Sequence, residues 1–176
     1  IRTLAEQCGK LGVTILHSCD ATELLIADGA VAGVKAVRPD GQEVSVNAKS
    51  VVIATGGFGA NVEYRQEVNT GVWSDVVLDS TIGCTNINPC AQGEGLKLAE
   101  SAGAELVGLA DIQLHPCGTP GTGLMEDIRT SGRNRIFVNE AGERFVNEGA
   151  ARDTLCKAIF AQTNSTYWVV VNKLRY

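Results

Sequence analysis

The chain has 176 residues, is 44% hydrophobic and 20% charged, and carries a formal net charge of −5. That is enough for one ordinary domain, or for a domain and part of another. The acidic balance, with Lys and Arg scattered rather than gathered in a stripe, argues against a nucleic-acid partner. No apolar run approaches bilayer length and no amino-terminal signal pattern is present, so the sequence reads as soluble and globular.

The first twelve residues, IRTLAEQCGKLG, place Ile1, Leu4, Ala5, Cys8 and Leu11 at helical spacing, with Gly12 as a stop. The chain opens inside this helix without an initiator methionine and closes just after a strand-like run, so both ends read as cuts through a larger protein. VTILH (13–17) reads as a short buried parallel strand. Three alternating runs follow, ATELLIA, AVAGVKAVR and QEVSVNA, separated by Asp28-Gly29 and Pro39-Asp40-Gly41. Asp-Gly between alternating runs is a strong hairpin signal, which predicts a three-stranded antiparallel meander. SVVIATGG (50–57) then reads as a continuous apolar strand of the kind buried on both faces of a parallel sheet.

A helix is predicted beyond Asn61, to about Val68. A second, in AQGEGLKLAESAGAELV, starts near Gly93-Glu94-Gly95 and stops at Gly103. HPCGTPGTG (115–123) has the punctuation of a domain crossing. RIFVNEAGERFVNE predicts a hairpin turning at Ala141-Gly142, ARDTLCKAIFAQ a helix, and TYWVVV a final strand. The six cysteines, at 8, 19, 84, 90, 117 and 156, contain no C-x-x-C pair. They read as separate, mostly buried thiols rather than metal ligands or a disulfide framework.

A strand that ends in glycines and hands over to a helix brings backbone N–H groups and a helix dipole to a place with no Cβ in the way. A dinucleotide can lie directly on such a main chain. Gly56-Gly57 alone, or Gly93-Glu94-Gly95 alone, is as easily a tight turn; the two together, with a meander between parallel strands, are more specific.

In that order the chain resembles the flavoprotein subunits of fumarate reductase and succinate dehydrogenase, together with the soluble flavocytochrome c-type reductases. Ala54, Thr55, Gly56, Gly57 and Phe58 match the family's ATGGF, and Gln92-Gly93-Glu94-Gly95 stands at its TGDG turn. The resemblance implies an α/β fold, α+β in the cap: a partial glutathione-reductase-type FAD-binding domain over 1–117 and part of a capping domain over 118–176. It implies FAD as cofactor, contacted by residues 54–58 and 93–95.

The resemblance continues through DIQLHP, MEDIR and RFVNE…ARD. It implies that His115 binds a substrate carboxylate, that Arg152 is the general acid, and that Glu126 and Arg129 form the relay that reprotonates it. No metal is implied. The expected activity is reduction, or formation, of a C=C bond beside a carboxylate or carbonyl. The expected partners are a small unsaturated acid or enone and an electron-donor domain or protein, in a cytoplasmic or membrane-peripheral setting. A non-catalytic flavin-binding or assembly module, L-aspartate oxidation and ketosteroid dehydrogenation are the competing readings.

Met125 stands where the family usually has a threonine, and the stretch from Arg129 to Ile136 is about two residues longer than the family pattern. The 176 residues contain no G-x-G-x-x-G turn. That turn carries the pyrophosphate in this fold, so FAD is not expected to be retained by these residues alone.

Overall fold

The computed structural model describes residues 2–83, 90–119 and 135–171. The chain divides into two compact units, Ile1–Ala54 with Gly95–Glu105, and Thr55–Glu94 with Leu106–Tyr176. Each follows from local sequence signals up to the point where a distant partner is needed.

In the first unit, α1 (Arg2–Lys10) ends as its glycine predicts. Gly12 takes φ +73°, Val13 N–H donates to Cys8 O at 2.9 Å, and Gly12 N–H donates to Gly9 O at 3.2 Å. This pair of bonds satisfies the last carbonyls of the helix in a Schellman motif. The meander is also present: β1 (Asp20–Ala27), β2 (Ala30–Val37) and β3 (Glu43–Asn47) form one antiparallel sheet in the order β1-β2-β3. Asp28 and Gly29 both adopt positive φ, 51° and 77°, as a two-residue turn twisting with its strands requires. Gly33 in β2 is obligatory, because a Cβ there would lie 2.2 Å from Val46 O on β3.

The two expected parallel strands are not formed. Residues 13–17 and 50–57 have no ladder partner among the described residues, and Val13, Ile15 and Val52 are 50%, 46% and 87% exposed. An apolar run becomes a strand only when a neighbour takes its N–H and C=O groups. The described sheets are therefore antiparallel.

The helix α3 (Glu94–Ser101), which lies in the first unit from Gly95 onward, ends at Gly103, φ +85°, in a second Schellman motif, with Ala104 N–H to Ala99 O at 3.1 Å and Gly103 N–H to Glu100 O at 2.9 Å. The second unit holds α2 (Val62–Glu67), β4 (Arg135–Val138), α4 (Arg152–Phe160) and β5 (Trp168–Val171). Its core has two clusters, Trp73, Leu78, Leu114 and Cys156 in one, and Cys117, Phe137 and Leu155 in the other. α4 feeds both, so its rotation and its first residue are held from two sides.

The hairpin predicted at Ala141-Gly142 turns as expected, with Gly142 at φ +76° and Asn139 N–H donating to Glu143 O at 2.9 Å. Its return arm, however, makes only the isolated bridge Val138↔Arg144, and β4 pairs instead with β5. The reason is Glu148, which is 5% exposed. Its Oε1 accepts the Phe137 N–H at 2.8 Å, a position that a returning strand would occupy, and its carboxylate binds the Arg144 fork at 3.1 and 2.6 Å.

The thiols are less buried than expected: Cys117 and Cys156 are buried, Cys8 and Cys19 half-buried and Cys90 exposed, and all five are free. Among the described residues no helix is long and apolar enough to cross a membrane.

Candidate active site

The two glycine turns are brought together inside the second unit. Ala60 N–H donates to Ala91 O at 2.9 Å, and Asn61 Nδ2 donates to Gln92 O at 3.1 Å. Asn61 Oδ1 also accepts the Tyr64 N–H at 3.0 Å and so caps α2. One side chain thus starts the helix after Gly56-Gly57 and clasps the turn before Glu94. The cap was readable as an Asn ahead of a helical run; the clasp, which joins residues 31 apart, had no sequence signal.

Gly56 sits at φ +82° and Gly93 at φ +85°. A Cβ added at Gly56 or Gly57 would meet nothing within 4 Å. The main chain there faces open space, as required for a ligand to rest on it without side-chain interference. Phe58 packs edge-on against Tyr64 at 5.1 Å and fixes the exit from the turn. On the geometry of this chain, the Gly56-Gly57 main chain has room for a dinucleotide, and Gly93-Glu94 is tied beside it through the Ala60–Ala91 and Asn61–Gln92 bonds. Of the remaining residues expected at the cofactor, Ala54 and Gly95 fall in the other unit.

A cleft of about 990 Å³ in the second unit is lined by Phe58 and Gly59 from the first turn, by residues 75–79, and by Gln113 and His115. Residues 112–116 run with a period of two: Leu114 and Pro116 are buried, whereas Gln113 is exposed and His115 half-buried. Trp73 Nε1 donates to Ile112 O at 2.9 Å and anchors the run. Alternation puts Gln113 and His115 on the same side. Arg152, the first residue of α4, reaches that side, where its Nη1 donates to Gln113 Oε1 at 2.7 Å.

Cys117 N–H donates to His115 Nδ1 at 3.3 Å, which assigns the imidazole proton to Nε2. Burial holds the His115 pKa below its ordinary 6.5, and the Arg152 charge lowers it further. His115 is therefore a neutral hydrogen-bond donor at neutral pH. Its folded-state pKa is depressed, so its contribution to stability is present above about 6.5 and is lost as pH falls. In Arg152→Gln the His115 titration, followed by NMR and separable from that of His17, the only other histidine, is expected to move upward toward 6.5. An unmoved midpoint would show that the two side chains are not coupled.

The structure thus assembles His115 and Arg152, and adds Gln113, which sequence reasoning missed although its alternation with His115 was visible in DIQLHP. Tyr167 was also missed. Its hydroxyl donates to Pro116 O at 2.6 Å and lies 3.3 Å from Cys117 Sγ, so the thiol proton points to the tyrosine oxygen. Burial raises the Cys117 pKa and keeps that thiol unreactive. Met125, Glu126 and Arg129 lie outside the described residues.

A family profile described as "FAD binding domain" matches residues 1–171. The chain is 38% identical over 176 residues to an NADH:acrylate oxidoreductase of Vibrio harveyi, covering 99% of this chain and 17% of that protein. It is 31% identical to an NADH:fumarate oxidoreductase of Klebsiella pneumoniae, covering 98% of this chain and 18% of that one. Among solved structures, the open conformation of a flavocytochrome c3 fumarate reductase superposes with a TM-score of 0.71 at 25% identity, over 96% of this chain and 28% of that chain. The chain therefore spans about a fifth of the length of these curated relatives. The chain belongs to the FAD-binding-domain family, beside the fumarate and acrylate reductase flavoproteins.

Proposed function

We propose that this chain is part of an FAD-dependent reductase acting on a C=C bond next to a carboxylate, of the fumarate and acrylate reductase kind. The observation that carries this reading is the single cleft lined by the Phe58-Gly59 turn and by Gln113 and His115, with Arg152 bonded to Gln113. Thr55, Gly56, Gly57, Phe58, Gly93 and Glu94 would hold FAD through main-chain contact. When bound and reduced, the flavin would supply the hydride that adds to one carbon of the double bond.

The remaining chemistry belongs to side chains of this chain. Neutral His115 donates its Nε2–H to a substrate carboxylate oxygen, which fixes the acid without placing a second cation beside Arg152. Arg152 donates the proton that completes the second new C–H bond. An arginine has a reference pKa far above neutrality, so it must be reloaded as fast as it donates. Glu126 and Arg129 are assigned that relay by the family resemblance. Gln113 turns the guanidinium toward the His115 side. The names of the most similar relatives point to NADH as the electron source, acting through another domain or protein.

The test is a substrate screen of the full-length protein, with reduced viologen as electron donor for acrylate and fumarate and an oxidised dye as electron acceptor for aspartate and a 3-ketosteroid. Oxidation of the dye by an unsaturated acid supports the proposal, and turnover only with aspartate or the steroid replaces it. The division into 1–117 and 118–176 is part of the same proposal, supported by the glycines and prolines of 116–123. Limited proteolysis should cut first in 118–123, and a first cut elsewhere would move the boundary.

A further inference from the structure

Arg65 is 6% exposed, although every other residue of the short helix α2 is exposed or half-buried. Its guanidinium gathers backbone carbonyls from two places. Nη1 donates to Gly59 O at 2.8 Å, just after the first glycine turn. Nε donates to Leu78 O at 2.7 Å, and Nη2 to Ile82 O at 2.6 Å and to the Asp79 carbonyl. Neighbouring side chains extend the grip: Gln66 Oε1 accepts the Leu78 N–H at 2.7 Å, and Asn69 Nδ2 donates to Trp73 O and Val76 O at 2.8 and 3.0 Å.

Residues 75–83 have neither helix nor strand to set their path. Their backbone is held largely by side chains of α2 and the residues just after it. Arg65, Gly59, Leu78, Asp79 and Ile82 all line the cleft that contains His115. A guanidinium is suited to this task because its N–H donors form a rigid fork, whereas a lysine ammonium is a point charge on a flexible stem.

We propose that Arg65 is a positioning residue that locks the chain after the Gly56-Gly57 turn to the cleft wall at 78–82. The surface offered to the cofactor and the wall offered to the substrate then keep one fixed spacing. The kinetic consequence rests on the reductase reading; the mechanical one does not.

The test uses Arg65→Lys and Arg65→Met in the full-length protein. Arg65→Lys keeps the charge and loses the fork. It is expected to retain flavin, hold kcat within about threefold and raise KM for the unsaturated acid about tenfold, because an interaction setting ground-state fit is weakened. Hydrogen exchange should quicken at the Leu78 and Ile82 amides, and Arg65→Met should exceed Arg65→Lys in both respects. Wild-type KM with wild-type exchange in Arg65→Lys overturns the proposal. So does a joint fall in flavin content, kcat and thermal midpoint in that variant, which marks a general scaffold residue. If the unmutated protein reduces no unsaturated acid, the reductase reading fails and exchange alone decides. Faster exchange confined to residues 59–61 and 78–82 then supports the lock, and unchanged exchange sinks it.

Discussion

Arg152→Ala in the full-length protein is expected to lower kcat for an unsaturated acid by about 10²–10⁴-fold, the usual worth of a positioned proton donor, while leaving flavin content and thermal midpoint unchanged. The separation is possible because Arg152 makes little structural contribution. It is exposed, begins α4 without belonging to either core cluster, and has Gln113 as its hydrogen-bond partner. α4 is held instead by Leu155, Cys156 and Ile159. Exposed substitutions of this kind usually shift stability by less than about 0.5 kcal/mol. Arg152→Lys retains a charge but cannot reproduce the planar fork, so it is expected to be slow as well. Steady-state turnover beside a melting curve makes the comparison, and a variant with wild-type kcat would remove Arg152 from the chemistry.

The second large effect is on stability. Glu148→Ala is expected to cost about 1–3 kcal/mol, the usual penalty of leaving a buried N–H unsatisfied, because the Arg144 side chain, 55% exposed, returns to water. The substitution strands the Phe137 N–H in the interior, next to a Phe137 ring that is 0% exposed. It also removes both acceptors of the Arg144 fork. Burial alone would raise the Glu148 pKa, but the Arg144 bonds and the Phe137 N–H outweigh it and hold the carboxyl below its ordinary 4.5. A depressed folded-state pKa means the stabilisation is complete above the unfolded value and is lost as pH falls below about 4.5. Urea unfolding of wild type, Glu148→Ala and Glu148→Gln across that range provides the check. Glu148→Gln should be less stable at neutral pH and less sensitive to acid than wild type. Equal stability with identical acid limbs would show that the carboxylate is not what stops the hairpin's return arm.

What could be read before folding was what is decided within a few residues. The helix stops at Gly12 and Gly103, the Asp28-Gly29 turn and the meander it begins all formed, because each needs only a left-handed glycine or a two-residue turn in the right place. Residues 13–17 and 50–57 have the composition of strands but no ladder partner among the described residues. The hairpin after β4 turned as expected but paired only at Val138↔Arg144, for a related reason. The adjacent run 143–148 looked suitable, and the choice of β5 depends on a carboxylate placed eleven residues from the N–H it captures.

The candidate site divides in the same way. His115 and Arg152 were named through the family resemblance rather than by periodicity, and the structure then set Arg152 against Gln113 and His115. Arg65 carried no signal, since a lone arginine on a six-residue helix reads as a solvated side chain. Its significance emerges only when carbonyls at 59, 78, 79 and 82 converge on it.

Anaerobic stopped-flow reoxidation of the chemically reduced full-length protein tests the central claim most directly, because it isolates the step assigned to this cleft from electron delivery. Mixing with acrylate or fumarate should return the oxidised flavin spectrum in a single saturable phase, slowed about 10²–10⁴-fold in Arg152→Ala as expected for loss of a proton donor. A reduced flavin that stays reduced in the presence of every unsaturated acid tried, or one reoxidised equally fast in both proteins, would contradict the account.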